Sequence, residues 1–238
     1  AIRPPAPLAT AAGRWAMSLG GGFSSVAAGV VQNGAAKAIG KPMDPLSSAG
    51  GRAGGLNDIN WVNFNYPPLL QLIHYNLEEL PTTLTGIVRS FNFSFQITVV
   101  GCLINLIDTF FIAATTEAPW NWLLLSLIHL VLLPVAALFV FYSGYRGLAE
   151  PDSQLTTRFK IGQPILGFIY FLFGLVPYGC VNGLAKLGSY TTYTDSSTFW
   201  LVIIILESIL WLVNALLAGL NVVRAHRFDA YATAGSHF

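Results

Sequence analysis

Three residues with ionisable side chains lie inside stretches of sequence that are otherwise apolar: Asp108, His129 and Glu207. An ionisable group inside a membrane is costly unless it is paired, so each of the three is a candidate for function. Counted from the outer ends of their predicted helices, all three lie about 8–14 Å deep at the α-helical rise. Side chains at similar depth on different helices can contact one another, and the chemistry that they can perform depends on which contacts form.

The residue types favour an interhelical polar clasp. In this hypothesis His129 bonds Asp108 or Glu207, with help from Asn105 and Asn214, and each pair contributes about 1 kcal/mol. A proton or ion path is an alternative, but it needs polar groups through the whole depth of the bundle. In the inner half the sequence offers mainly Gln96, Thr98, Ser143 and Asn221.

Two further interpretations of the same three residues are weaker. A metal site of one His and two carboxylates is not expected, because nothing in the spacing fixes the three side chains on one face. Plain exposure at the outer membrane interface is the remaining interpretation. We expect no metal and no cofactor.

Four apolar runs carry these residues, with short polar breaks between the runs. Hydrophobic residues make up 54% of the chain and charged residues only 10%, which is far below the charged fraction of soluble domains. Each run reaches about the 20 residues that a helix needs to cross the hydrocarbon, where only a helix satisfies its own backbone. The sequence therefore predicts an all-α integral membrane protein with transmembrane helices at about 91–113, 120–142, 164–184 and 199–223.

The basic residues predict how these helices are oriented. Of the 12 Lys and Arg residues, all except Lys186 lie before the first span, between the second and third spans, or after the fourth. The positive-inside rule then places both termini and the loop between spans two and three on the inner side. Lys186 is expected in an outer loop, 185–198.

The polar flanks suggest a division of the chain into four regions. Residues 1–56 form a low-complexity tail rich in Gly, Ala and Pro, which buries too little apolar surface to order itself. Order in such a tail would require a partner, so we expect other membrane proteins to bind it. A cytosolic docking or interfacial segment follows at 57–88, then the membrane domain at 89–227 and a C-terminal tail at 228–238.

The segment 57–88 combines aromatic residues, a proline pair and an acidic pair. Tyr66, Pro67 and Pro68 predict an extended turn, since each proline fixes its own φ and keeps the residue before it out of the helical region. The residues that follow predict an amphipathic segment, with Glu78 and Glu79 on the wet side. Its apolar residues are Leu69, Leu70, Leu72, Ile73 and Leu77. Spacing alone leaves two locations open, the inner membrane interface and the cytosolic ends of the helices.

Four stretches together resemble a known family. They are Tyr66–Pro67–Pro68–Leu69, the segment HYNLEELP at 74–81, the loop FYSGYRGLAEPDS at 141–153, and the exit from the last span, NVVRAHR at 221–227. In this order, around four spans with both ends inside, they resemble the secretory carrier-associated membrane proteins. The resemblance covers about residues 61–230.

The resemblance implies a non-enzymatic protein with four spans that organises membrane and protein partners in post-Golgi and endosomal vesicle trafficking. It implies location in secretory or endosomal carrier membranes. The residues it points to for a cytosolic docking segment are Tyr66, Pro67, Pro68, Glu79 and Pro81. Those it points to for contact with lipid headgroups are Tyr145, Arg146, Arg158, Lys160, Arg224 and Arg227.

Two other functions remain open from the sequence. The chain has no Asn-Pro-Phe tripeptide, and its unusual tail fits a structural accessory subunit of a large complex, with an organellar inner membrane as the location. The ionisable residues inside the spans fit a small transporter or channel. Phosphate-binding loops, dinucleotide fingerprints and nucleophile elbows are absent from the sequence, so we expect no enzyme activity and no small-molecule substrate. The basic residues are spread out, so we expect no nucleic-acid partner either.

Overall fold

The computed structural model describes residues 59–115, 119–188 and 197–235 of the chain. The tail at 1–56, with its expected partners, lies outside these residues. The chain forms two compact units, and their boundary in the sequence lies between Glu79 and Leu80.

The second unit is built from four α-helices and one short 3₁₀ helix. The α-helices are α1 (Thr82–Thr115), α2 (Asn121–Ala149), α3 (Ser153–Leu175) and α4 (Ser197–Gly235), and the 3₁₀ helix spans Leu184–Gly188. Within the described residues the only β-structure consists of two isolated bridges. Helix α1 packs against α2 and α4, and α3 packs against the same two helices.

Three of the helices are long and apolar enough to cross a membrane: Thr82–Thr115, Asn121–Ala149 and Thr198–Phe228. They contain the first, second and fourth predicted spans, so the all-helical prediction is confirmed. Each helix extends beyond its apolar run, because polar residues outside the hydrocarbon can continue a helix in water. The predicted C-terminal tail at 228–238 is helical as far as Gly235.

The third predicted span, 164–184, differs from the helix observed there. Helix α3 begins earlier, where the Asp152 side chain accepts hydrogen bonds from the backbone N–H of Gln154 at 2.7 Å and of Leu155 at 3.2 Å. It ends at Leu175, because Val176 precedes Pro177 and adopts an extended conformation with φ −103° and ψ 121°. The rest of the predicted span is irregular as far as the 3₁₀ helix.

The helix bundle has polar residues inside and apolar residues outside. Helix α1 exposes Val100, Leu103, Ile107 and Phe110, while Asn105 and Asp108 on the same helix are at most 2% exposed. Helix α4 repeats this pattern, with Leu216 exposed and Glu207 and Asn214 fully buried. Such an arrangement fits a bundle in lipid, where apolar side chains face the lipid and polar groups bond across helices.

The first unit contains a tight turn instead of a continuous amphipathic segment. Tyr66 and Ile73 form an antiparallel bridge around the turn, and the Tyr66–Pro67 peptide bond is cis. Of the predicted apolar set, Ile73 is buried, whereas Leu69 is 96% and Leu70 66% exposed. The proline pair accounts for the difference, because it forces a turn at the position where a helical stripe would have to begin.

Candidate functional site

Asp108 and Glu207 meet inside the bundle through a third residue that the sequence analysis did not select. The side-chain nitrogen of Asn182 donates to Asp108 Oδ2 at 2.6 Å and to Glu207 Oε2 at 2.8 Å. All three side chains are at most 1% exposed. Asn182 lies in the irregular segment between α3 and the 3₁₀ helix, so this segment joins α1 to α4.

Lys186 lies on the 3₁₀ helix and completes the cluster. Its ammonium group donates to Asn182 Oδ1. The same group lies 5.3 Å from the ring centre of Trp122 and 5.1 Å from that of Trp200, within the range of cation–π attraction. Lys186 lies in the connection between α3 and α4, as predicted, but it is only 6% exposed and therefore buried against the helices. The buried carboxyl groups and the two indole rings explain why an ammonium group is tolerated there.

Asn105 connects the carboxyl pair to the irregular segment. Its side-chain nitrogen donates to Glu207 Oε1 at 2.9 Å and to the backbone oxygen of Cys180 at 2.7 Å. Trp211 Nε1 also donates to Glu207 Oε1, at 3.1 Å. Asn105, Asp108, Asn182, Lys186 and Glu207 are called the charged cluster below.

Side chains of the helices satisfy the irregular backbone between 176 and 183. Asn105 bonds the carbonyl of Cys180, and Ser208 Oγ donates to the carbonyl of Asn182 at 2.9 Å. Tyr178 and Val181 also exchange two backbone hydrogen bonds. These bonds hold the buried part of the irregular segment, 180–183, against α1 and α4, whereas Val176 and Tyr178 at its start are exposed.

A second group of polar side chains joins an earlier part of α1 to a later part of α4. None of these side chains is charged. Ser94 Oγ donates to Asn214 Oδ1 at 2.6 Å, and Asn214 donates in turn to Thr98 Oγ1 at 3.0 Å. Ser90 donates to Asn221 Oδ1 at 2.6 Å. We call these residues, with Gln163 and Tyr170 of α3, the neutral seam.

The neutral seam is richer than the sequence suggested for the inner half of the bundle. The prediction counted Gln96 and Ser143 but not Ser90, Ser94 or Gln163. Gln96 is exposed on α1, and Ser143 Oγ donates to the carbonyl of Phe139 one turn earlier in its own helix. The two missed serines and Thr98 are spaced four residues apart along α1, which places them on one face.

His129 lies beside the charged cluster rather than between its carboxyl groups. Its Nδ1 is 3.5 Å from Cys180 Sγ, and its ring is tilted against Phe173 at 5.2 Å between centres. The predicted bond from His129 to Asp108 or Glu207 is therefore not the one observed, because His129 contacts the irregular segment from α2. Asn105 does bond Glu207, but Asn214 belongs to the neutral seam, and Asn182 joins the two carboxyl groups instead.

The residues predicted to contact lipid headgroups occupy different environments. Tyr145 is fully buried and stacks on Phe141 at 6.3 Å, so its ring is not presented on the surface. Arg146 forms an ion pair with Glu150 at 2.6 Å. Arg224 and Arg227 are exposed, and Arg224 also donates to Ser90 Oγ at 3.0 Å. Arg158 and Lys160 are partly buried near the start of α3. The structure thus contradicts headgroup contact by the Tyr145 ring, whereas contact by the five basic residues stays a prediction.

Glu79 organises the end of the predicted docking segment. Its carboxylate lies 2.8 Å from His74 Nε2 and accepts from the Asn76 side chain at 2.9 Å. Tyr66, at the turn, has its ring 5.0 Å from that of Tyr75. The prolines at 67 and 68 form the turn, and Pro81 precedes α1. Docking of this segment onto a partner stays a prediction.

No group of three or more His, Cys, Asp or Glu side chains within residues 59–115, 119–188 and 197–235 is arranged to hold a metal ion. The two cysteines, Cys102 and Cys180, are buried as free thiols.

Comparison with known proteins gives one finding. The model of the SCAMP family matches residues 63–231, which is more than two thirds of the chain. The match includes the predicted docking residues from Tyr66 to Pro81, the charged cluster and the neutral seam. No curated protein and no solved structure matches the chain.

Proposed function

The chain belongs to the secretory carrier-associated membrane protein family, and from this membership we propose that it organises lipid and protein partners in post-Golgi and endosomal carrier membranes. The observation that carries the proposal is the family match over residues 63–231. The family consists of non-enzymatic membrane proteins, and the role proposed here is likewise non-enzymatic.

The fourth crossing in this proposal is made by α3 together with the segment that follows it. Helix α3 exposes an apolar stripe at Ile161, Ile165, Phe168 and Leu172, with the spacing of one helix face. Its apolar part, 161–175, is about 22 Å long and falls short of the ~30 Å of hydrocarbon. The segment 176–188, whose residues 180–183 and Lys186 are buried, is proposed to supply the remaining depth.

Both termini are proposed to lie on the cytosolic side. This orientation places the basic ends of α3 and α4, with Arg158, Lys160, Arg224 and Arg227, at the surface that carries anionic lipid. Basic residues near such a surface contribute about 1 kcal/mol each. The set is therefore suited to weak contact with many headgroups rather than to one tight lipid site.

The segment 59–79 is proposed to present protein partners with a preformed turn. Its shape is held by the Tyr66–Ile73 bridge and by the Glu79 contacts with His74 and Asn76. The exposed Leu69 and Leu70 at its tip give a partner an apolar contact. A rigid turn loses little conformational entropy on binding, which favours its use as a recognition element.

Purification from native membranes in mild detergent tests the proposal. We expect the protein to fractionate with secretory and endosomal carriers and, after sizing and mass spectrometry, to travel with a variable set of carrier proteins. A single stoichiometric particle containing fixed subunits of another membrane complex would overturn the trafficking role. That outcome would establish the accessory-subunit function instead.

A further inference from the structure

The charged cluster is one positive charge short. Asp108 and Glu207 bring two carboxyl groups, which share a bond from the Asn182 side chain. Among the residues that the structure describes, Lys186 is the cation of the cluster, and it bonds the same Asn182 side chain. All of these side chains are at most 6% exposed, so water does not compensate the difference. An uncompensated buried charge is strongly unfavourable, so one more positive charge is needed for balance.

One hydrogen-bond acceptor in the same place is unused. Asn105 Oδ1 is buried and has no hydrogen-bond partner within residues 59–115, 119–188 and 197–235. The nitrogen of the same amide bonds Glu207, and Asn105 lies three positions before Asp108 on α1, so it faces the same side of the helix. Buried polar atoms in native proteins are satisfied by protein, water or an ion, so an empty acceptor indicates a missing donor or cation.

One bound cation would supply the missing positive charge and satisfy the unused Asn105 Oδ1 acceptor. We propose that the charged cluster binds one exchangeable monovalent cation, held by oxygen atoms of Asn105, Asp108 and Glu207. A proton on one carboxyl group adds the missing charge and supplies a donor for Asn105 Oδ1. An alkali metal ion adds the same charge and takes the three oxygens as ligands, which suit a hard cation.

Apart from Lys186, the titratable groups around the two carboxyl groups supply no fixed positive charge. From α1 there is Cys102, from the irregular segment Cys180, and from α2 His129, whose ring contacts the Cys180 sulfur. The 3₁₀ helix contributes Lys186 and α4 contributes only Glu207. Ala185 and Gly188 of the same 3₁₀ helix are exposed, so the protein surface lies within two residues of Lys186 in the sequence.

Infrared spectroscopy of the purified full chain in nanodiscs tests the proposal directly. With the proton as occupant, we expect a carbonyl-stretch band of one buried carboxylic acid at neutral pH, lost in Asp108→Asn. With an alkali ion, we expect that band to be absent and the unfolding midpoint to rise when NaCl or KCl replaces an organic-cation chloride at constant ionic strength. Absence of both signals from the natural protein would overturn the proposal.

The count of charges predicts opposite results for removing a carboxyl group and for removing the lysine. Asp108→Asn leaves Glu207 balanced by Lys186, so both the acid band and the alkali effect are lost. Lys186→Met leaves two carboxyl groups without a cation, so the acid band doubles or the alkali dependence becomes steeper. Glu207→Gln repeats the first test if Asp108→Asn does not fold. Glu150→Gln, at the exposed ion pair with Arg146, is the matched control and leaves both signals unchanged. Retention of the signal in both Asp108→Asn and Glu207→Gln would contradict the proposal.

Discussion

The charged cluster and the neutral seam both join α1 to α4, yet they do so in different ways. In the neutral seam, Ser94 and Asn214 bond each other directly, and both belong to helices that satisfy their own backbones. In the charged cluster, Asp108 and Glu207 meet through Asn182, which belongs to neither helix. One contact holds regular elements together, whereas the other also holds an irregular segment in place.

This difference predicts different energetic roles. Hydrogen bonds between transmembrane helices contribute about 0.6 kcal/mol on average, because the separated helices find other partners. A buried charge that loses its partner costs about 3–5 kcal/mol, because nothing in lipid replaces that partner. Polar residues inside one bundle should therefore differ severalfold in their importance for stability.

The largest effect is expected for Asn182→Leu. The substitution removes the donor shared by the two carboxyl groups and the acceptor of Lys186, so we expect a loss of about 3–5 kcal/mol in the free energy of unfolding. Reversible unfolding in mixed detergent measures it. Asn214→Leu, at an equally buried Asn of the neutral seam, is the matched control and should cost about 1 kcal/mol. Equal losses in the two variants would remove the distinction between the regions.

A smaller but clear loss is expected for Gly183→Ala. An added Cβ would lie 2.5 Å from the backbone carbon of Leu175 and from the backbone nitrogen of Val176, so the irregular segment must move away from the end of α3. Overpacking of this kind costs about 1–3 kcal/mol. Thermal unfolding in nanodiscs measures the shift. Gly219→Ala on α4 meets nothing within 4 Å and should leave the protein equally or more stable.

The coupling inside the neutral seam is expected to be modest. A double-mutant cycle of Ser94→Ala and Asn214→Ala should give an interaction energy of about 0.6–1.7 kcal/mol, the range for polar pairs between transmembrane helices. The coupling should not change with salt concentration, because neither side chain is charged. A coupling above about 3 kcal/mol would place this pair in the same class as the buried charges.

The smallest effect is expected for Glu79→Gln. Like the carboxyl groups of the charged cluster, Glu79 accepts a hydrogen bond from an Asn side chain, but it belongs to the first unit. Glu79 accepts from Asn76 and contacts His74, but its side chain is 36% exposed, so water replaces a lost bond. We expect a change below about 1 kcal/mol in the stability of the turn, measured by limited proteolysis at 59–79. Glu78→Gln is the control, because Glu78 is exposed and its side chain lacks these contacts. A large effect of Glu79→Gln without one of Glu78→Gln would contradict this prediction. It would show that the Glu79 carboxylate stabilises the segment as a buried charge does.

Hydropathy predicted the three long helices because a run of apolar residues in lipid has few other ways to satisfy its backbone hydrogen bonds. It also predicted that Asp108 and Glu207 matter, since an ionisable residue in such a run is rare. It failed between 164 and 184, where an averaged hydropathy cannot distinguish a helix from an apolar irregular chain. Pro177, Gly179 and Gly183 were the signal for the break.

Asn182 and Lys186 were missed for a related reason. Each was assigned to a place by its position relative to the assumed span, Asn182 inside it and Lys186 beyond its end. Their spacing of four residues next to a proline and two glycines indicates a compact turn carrying polar groups, but the partners of those groups come from α1 and α4. Such long-range pairing is a property of the fold and not of any local pattern.

The early end of α3 has a consequence for how the protein is made. A newly synthesised α3, with about 22 Å of apolar helix followed by Asn182 and Lys186, is a poor candidate to leave the translocon alone. Its polar end finds acceptors only after α1 is in the membrane and α4 has been synthesised. We therefore expect α3 to be retained at the site of insertion until α4 emerges. With α3 as the proposed fourth crossing, the four helices would then enter the lipid as one assembly rather than one at a time.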